Sequence, residues 1–94
     1  MYGSAFRMRP KAGMAAELRD VMMSDSRRPK GMATAYLLTE DMSGDVWGFA
    51  VFADEKSYRE NASDPAQSTQ YQKFRALLES DPEWHDGAIV QRPA

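Results

Sequence analysis

The sequence predicts an α+β chain with the element order β-α-β-β-α-β. Two observations carry this reading. Apolar residues recur with a period of two, then with a helical period, then with a period of two again, and Pro, Gly and Ser-Gly stretches mark the changes. Residues 46–53, "VWGFAVFA", contain no charged side chain and no hydrogen-bonding one except the Trp47 indole, which describes a strand inside a sheet.

Residues 2–9 form the first strand, with Tyr2, Ser4, Phe6 and Met8 on one side and Gly3, Ala5, Arg7 and Arg9 on the other. Pro10 ends it. From Gly13 to about Asp25 the spacing is helical: Met14, Leu18, Val21 and Met22 make one stripe. Pro29 and Gly31 break that pattern, and "MATAYLLTE", 32–40, is the second strand. "DMSGD", 41–45, reads as a hairpin loop into the third strand, 46–53. Asp54 caps a short helix through Ser57, Tyr58 and Asn61. Pro65 stops it and opens another, with Asp64 as cap, Gln67 as capping-box partner, and Tyr71, Phe74 and Leu78 as its apolar stripe. Asp81-Pro82 closes this helix, residues 83–86 form a turn, and "GAIVQR", 87–92, is the fourth strand.

This is the ferredoxin-like arrangement, an antiparallel sheet with its helices on one face. One layer of helices covers only one face, yet the third strand is apolar on both. A bare face of that size exceeds the apolar patch a monomer normally carries. A second copy packed sheet to sheet about a two-fold axis resolves the conflict. The bulky set Trp47, Phe49 and Val51 is then the better candidate to face the helices, and Gly48 and Ala50 the better candidates for the sheet-to-sheet contact.

The 94 residues bound one domain, 1–94. A chain of this size buries only about 60–65% of its unfolded surface, so a partner would help its stability. Charged residues are 28% and hydrophobic residues 43%, as in ordinary globular chains, and the net charge of −2 is no nucleic-acid footprint. The absence of cysteine rules out disulfides and thiolate chemistry, and a single His rules out a His-rich metal site within one chain. The N-terminus has no apolar leader run and no segment is long enough to span a membrane, so a cytoplasmic location is expected, with neither membrane nor nucleic acid as partner. The Met residues at core-like positions, Met8, Met14, Met22 and Met32, serve as gap fillers.

Four stretches, "FRMRPKAGMAAEL" (6–18), "RRPKGMATAYLL" (27–38), "VWGFAVFADEKSYRENASDP" (46–65) and "DPEWHDGAIV" (81–90), resemble the antibiotic biosynthesis monooxygenase (ABM) domain of the dimeric α/β-barrel superfamily. The resemblance covers nearly the whole chain. It implies a homodimer joined through the sheet face, a small-molecule ligand and no cofactor. Some members oxygenate polyketide-type aromatics with dioxygen and no prosthetic group, so the implied activity is a cofactor-independent monooxygenase acting on a small aromatic or enolisable substrate. Alternatives are a non-enzymatic ligand-binding or regulatory dimeric module and a haem-degrading monooxygenase. Haem-degrading members pair a helix histidine with an Asn and a Trp; here His85 follows the last helix and the first strand has no Asn.

Against that background the candidate catalytic residues are His85, Asn61 and Tyr58, and the candidate substrate-binding residues Tyr36, Trp47, Tyr71 and Trp84. His85 has the intrinsic pKa of a general base, but it also suits a hydrogen bond within a turn flanked by Asp81 and Asp86. Tyr36, Trp47, Phe49, Tyr58 and Tyr71 are candidates to line an aromatic pocket between helices and sheet, or to be core. Trp84 belongs at the barrel rim or against the second copy. Asn61 lies one turn beyond Tyr58 on the same helix face, placed to bind a substrate oxygen or to cap the helix. Arg7 and Arg9 suit an anionic ligand or surface ion pairs.

Overall fold

The computed structural model describes residues 1–93. Its elements are β1 (Tyr2–Met8), α1 (Ala15–Met23), β2 (Met32–Thr39), β3 (Val46–Phe52), α2 (Glu55–Ala62), α3 (Pro65–Arg75) and β4 (Glu83–Ala88). The sheet runs β2-β3-β1-β4, antiparallel throughout, as the α+β ferredoxin-like expectation requires. The two most sequence-distant partners of β1 thus flank it, and the apolar β3 lies inside the sheet.

Local chemistry explains the boundaries. Gly31 holds φ +83 before β2, and a Cβ there would meet the Ser57 side chain at 2.4 Å, so only glycine fits. The Asp54 carboxylate accepts the Ser57 N–H at 2.8 Å and starts α2. Asp64 accepts the Ala66 N–H at 2.8 Å and Pro65 occupies the first position of α3. The expected capping box is only half made. Gln67 accepts hydrogen bonds from Arg27 and Asn61 instead of reaching back to Asp64. Helix α3 also stops at Arg75, short of the predicted end. The chain then turns so that residues 77–79 pair with 9–11, through Lys11 N–H to Leu77 C=O and Glu79 N–H to Arg9 C=O.

Met8, Leu18, Val46, Phe52 and Leu78 are fully buried, with Phe6 and Phe74 nearly so. Each such side chain contributes about 1.5–3 kcal/mol of burial. Val21, Met22, Tyr71 and Leu77 extend this core from α1, α3 and the turn that follows α3.

Two expectations are corrected. The first concerns parity in β3. Phe6 pairs with Gly48, Ser4 with Ala50 and Met8 with Val46, and these residues face the helices. The small set is therefore inside, because the Phe6 ring occupies the space a Gly48 side chain would need. Trp47, Phe49 and Val51 lie on the opposite face. The second concerns β4, which begins at Glu83 and ends at Ala88. Trp84, His85 and Asp86 are strand residues paired with Phe6, Ala5 and Ser4, and form no turn.

Candidate functional site

Strand alternation divides the candidate residues between the two faces of the sheet. Tyr58, Asn61, Tyr71 and Trp84 belong to the helix side; Tyr36, Trp47 and His85 belong to the other.

On the helix side, α2 packs over β1 and β3 and reaches β4 through two side chains. The Tyr58 hydroxyl donates to Asp86 Oδ1 at 2.8 Å. Arg59 donates from Nη2 to the Tyr2 hydroxyl at 2.9 Å and brings Nη1 to 3.9 Å from Asp86 Oδ2. Its guanidinium stands 5.5 Å from the centroids of both the Tyr2 and Tyr58 rings. Burial, then the hydrogen bond to the Asp86 carboxylate, push the Tyr58 phenol up to about 12, so it is a proton donor at neutral pH. Ser4, opposite Asp86 in the register, is buried, and its hydroxyl makes no hydrogen bond of acceptable geometry, although it lies close enough to Tyr58 to oppose that upward shift. Beside this polar group stand three aromatic rings. Trp84 lies 4.7 Å from Phe6 and 6.3 Å from Tyr71, and remains 44% exposed, so its ring offers a free surface. The Asn61 amide donates to Gln67 at 3.4 Å and ties α2 to α3 and, through Gln67, to Arg27.

The opposite face is an apolar plane made by Ala5, Tyr36, Leu38, Trp47, Phe49 and Val51, with Tyr36 63% exposed. An open groove of about 420 Å³ runs along it past Gly3, Tyr36, Phe49, His85 and Gly87. His85 Nε2 lies 2.9 Å from Glu83 Oε1, and its ring stacks at 6.3 Å on Trp47. The Trp47 indole donates to Glu40, and Arg7 lies 5.9 Å from the indole centroid. Arg7 is also bonded to the buried Asp45 carboxylate at 2.7 Å, so the pairing expected of Arg7 is made within the chain. Among the described residues no group of three or more His, Asp or Glu side chains is placed to hold a metal ion, and no helix is long and apolar enough to cross a membrane.

No family model and no curated protein sequence matches the chain. Solved structures do. A candidate antibiotic biosynthesis monooxygenase from Chloroflexus aurantiacus superposes with a TM-score of 0.80 at 19% identity, over 99% of this chain and 96% of that one. A candidate antibiotic biosynthesis monooxygenase from Deinococcus radiodurans gives a TM-score of 0.82 at 13% identity, over 100% and 97%. SnoaB, a cofactor-independent oxygenase from Streptomyces nogalater, gives 0.82 at 22% identity, over 97% and 94%. The fold is that of the antibiotic biosynthesis monooxygenase proteins. The resemblance read from the four sequence stretches thus agrees with the fold across nearly the whole chain.

Within this ABM fold, sequence reasoning missed Ser4, Asp86, Arg59 and Tyr2. Asp86 was hidden by its assignment to a turn. The signal that finds it is the alternation of "EWHDGA": once this is a strand, Trp84 and Asp86 share the side that Phe6 and Ser4 occupy. Arg59 and Tyr2 lie 57 positions apart, and nothing local announces their contact.

Proposed function

We propose that this chain is a cofactor-independent monooxygenase acting on a small aromatic or enolisable substrate at the helix side of β1 and β4. The observation that carries the reading is the Tyr58–Asp86 pair beside the exposed ring of Trp84, in a fold shared with a cofactor-independent oxygenase. A planar substrate stacks on Trp84. On binding, Tyr58 transfers its hydrogen bond from Asp86 to the substrate's developing enolate oxygen. Asp86 is then free to accept the substrate's proton, and Arg59 adds positive charge nearby.

The balance closes without a prosthetic group. The substrate CH2 loses a proton to Asp86. The carbanion gives electrons to dioxygen and forms a C–O bond as a peroxide. The peroxide takes the proton back from Asp86 and loses water, leaving C=O and H2O. The carbon is oxidised, dioxygen is reduced, and one oxygen atom is kept. The protein supplies orientation, a proton acceptor and an oxyanion donor.

On this reading the apolar face that carries Tyr36, Phe49 and Val51 is covered by a second copy of the chain, making a homodimer. Of the sequence-derived candidates, Tyr58, Trp84 and Tyr71 serve the substrate, Asn61 fixes the helix that carries Tyr58, and Tyr36, Trp47 and His85 serve the sheet-to-sheet contact.

Oxygen uptake with a panel of anthrone-like and other enolisable aromatics tests the activity. Turnover of at least one is expected, with Asp86→Asn and Tyr58→Phe each lowering kcat by about 10²–10⁴-fold, the usual worth of a proton-transfer group. Unchanged turnover in both variants refutes this site. No uptake with any substrate, while the panel still binds, favours the non-enzymatic ligand-binding reading.

A further inference from the structure

The open face of the sheet is not level. Strands β2 and β3 are neighbours and carry its bulk: Tyr36, Leu38, Trp47, Phe49 and Val51. Strands β1 and β4 are also neighbours, and there Gly3 pairs with Gly87 and Ala5 is the next residue of β1 on that side. The groove of about 420 Å³ is the step between the two halves, with Gly3, Ala5 and Gly87 on its floor and Phe49 and Val51 along one wall. No atom lies within 4 Å of a would-be Cβ on Gly87, so nothing in the chain itself fills the floor there. Four strands about 4.8 Å apart and seven residues at about 3.4 Å each make the face roughly 19 by 24 Å, so two copies cover on the order of 1,000 Å² together, the size a specific interface needs. Arg7, the cation beside Trp47 on this face, is already bonded to Asp45 at 2.7 Å, so covering it strands no charge.

Aligned sheets packed face to face keep their strands within about 30° of each other. A two-fold axis in the contact plane then runs either across the strands or along them. Across them, β2 meets β2 and β3 meets β3, so bulk meets bulk and the ridges hold the low strands apart. Along them, between β3 and β1, the β2–β3 half of each copy meets the β1–β4 half of the other. Only this second arrangement is close-packed, and an unfilled groove forfeits the contacts that hold packed surfaces together. We infer that each copy seats its ridge in the other's groove about a two-fold axis parallel to the strands, with the partner's Phe49 and Val51 over Ala5 and Gly3 and the partner's Tyr36 against His85. The inference rests on the homodimer of the proposed function and adds its geometry, which the apolar excess of β3 alone does not give. One ridge and one groove on the same face make the patch self-complementary, as a two-fold interface requires.

The chain has no cysteine, so introduced thiols report on their own positions alone. A bismaleimide spanning about 10 Å, the spacing of packed sheets, reads the axis from two mixtures of single variants. Thr34 lies beside Val51 at one edge of the sheet and Gly87 beside Gly3 at the other. Thr34→Cys mixed with Gly87→Cys is expected to give a covalent dimer, since the axis along the strands brings these edges together. Thr34→Cys mixed with Leu38→Cys, the pair that an axis across the strands would join, is expected to give none. Gly87→Leu is then measured by sedimentation, with circular dichroism to confirm the fold. It is expected to weaken the dimer by about tenfold or more, because its side chain takes the space of the partner's ridge. With the low strands held apart, the same side chain would fill a void and leave the dimer as tight or tighter. Cross-linking of the second mixture or of neither, a Gly87→Leu chain that dimerises as tightly as the wild type, or a monomeric wild type each overturns the inference. Of these, only the monomeric wild type also removes the homodimer. A dimer of the expected geometry with no oxygen uptake leaves this inference standing and removes the oxygenase reading alone.

Discussion

Gly48→Ala is the sharpest probe of how the sheet is oriented. A Cβ on Gly48 would stand 2.2 Å from Phe6 Cζ, 2.4 Å from Cε2 and 2.9 Å from Cε1. To restore carbon contacts of about 3.5 Å the ring must retreat by roughly 1.3 Å, the difference from the shortest of these. It has little freedom to do so, being 8% exposed with the Trp84 ring 4.7 Å away. Overpacking of this kind costs about 1–3 kcal/mol. At about 2 kcal/mol, and about 4–8 °C per kcal/mol for a chain of this size, the melting temperature falls by about 8–16 °C. Calorimetry or circular dichroism measures it. Gly87→Ala is the control: no atom lies within 4 Å of its would-be Cβ, so a shift of under about 1 kcal/mol is expected. Adding Phe6→Leu to Gly48→Ala should recover part of the loss, since the two residues are in contact. A Gly48→Ala chain that melts within about 2 °C of the wild type would mean that Phe6 does not lie on Gly48, and the assignment of faces would fail.

Two further outcomes are expected. The Tyr58 phenol ionises near 12 when folded against 10.0 ordinarily, so its contribution to stability is complete below pH 10 and is lost as pH rises from there through 12; denaturant titrations should show a steeper alkaline loss in the wild type than in Tyr58→Phe, and equal slopes would contradict the raised pKa. Phe49→Arg puts a charge at the centre of the apolar face without touching the helix-side core, so sedimentation at micromolar concentration should show a dimer for the wild type and a folded monomer for the variant; a wild type that sediments as a monomer removes the proposed homodimer.

How much was legible before the structure differs from residue to residue. Helices α2 and α3 were readable to within a residue at their starts, because Asp54, Asp64 and Pro65 act on the few backbone groups next to them. The hairpin between β2 and β3 was readable for the same reason. Strand β4 was misplaced because "EWHD" carries turn-favouring acids, and pairing with β1 overrode that preference. The choice of face in β3 was illegible because both parities are apolar. It was decided by the size of Phe6 on the neighbouring strand, which needs Gly48 opposite it.

The same division holds for the candidate site. Tyr58, Tyr71 and Trp84 could be singled out as aromatic groups with a polar or exposed edge. That Tyr58 bonds Asp86 and that Arg59 reaches Tyr2 depend on a helix packed over strands distant from it in the chain. By itself the sequence determined the order of elements, the α+β ferredoxin-like class and the excess of apolar surface on β3, since period, capping and composition are local quantities. Only the tertiary structure decided which side of each strand met the helices and which polar groups converged there, because those outcomes depend on how residues far apart in the chain fill a shared volume.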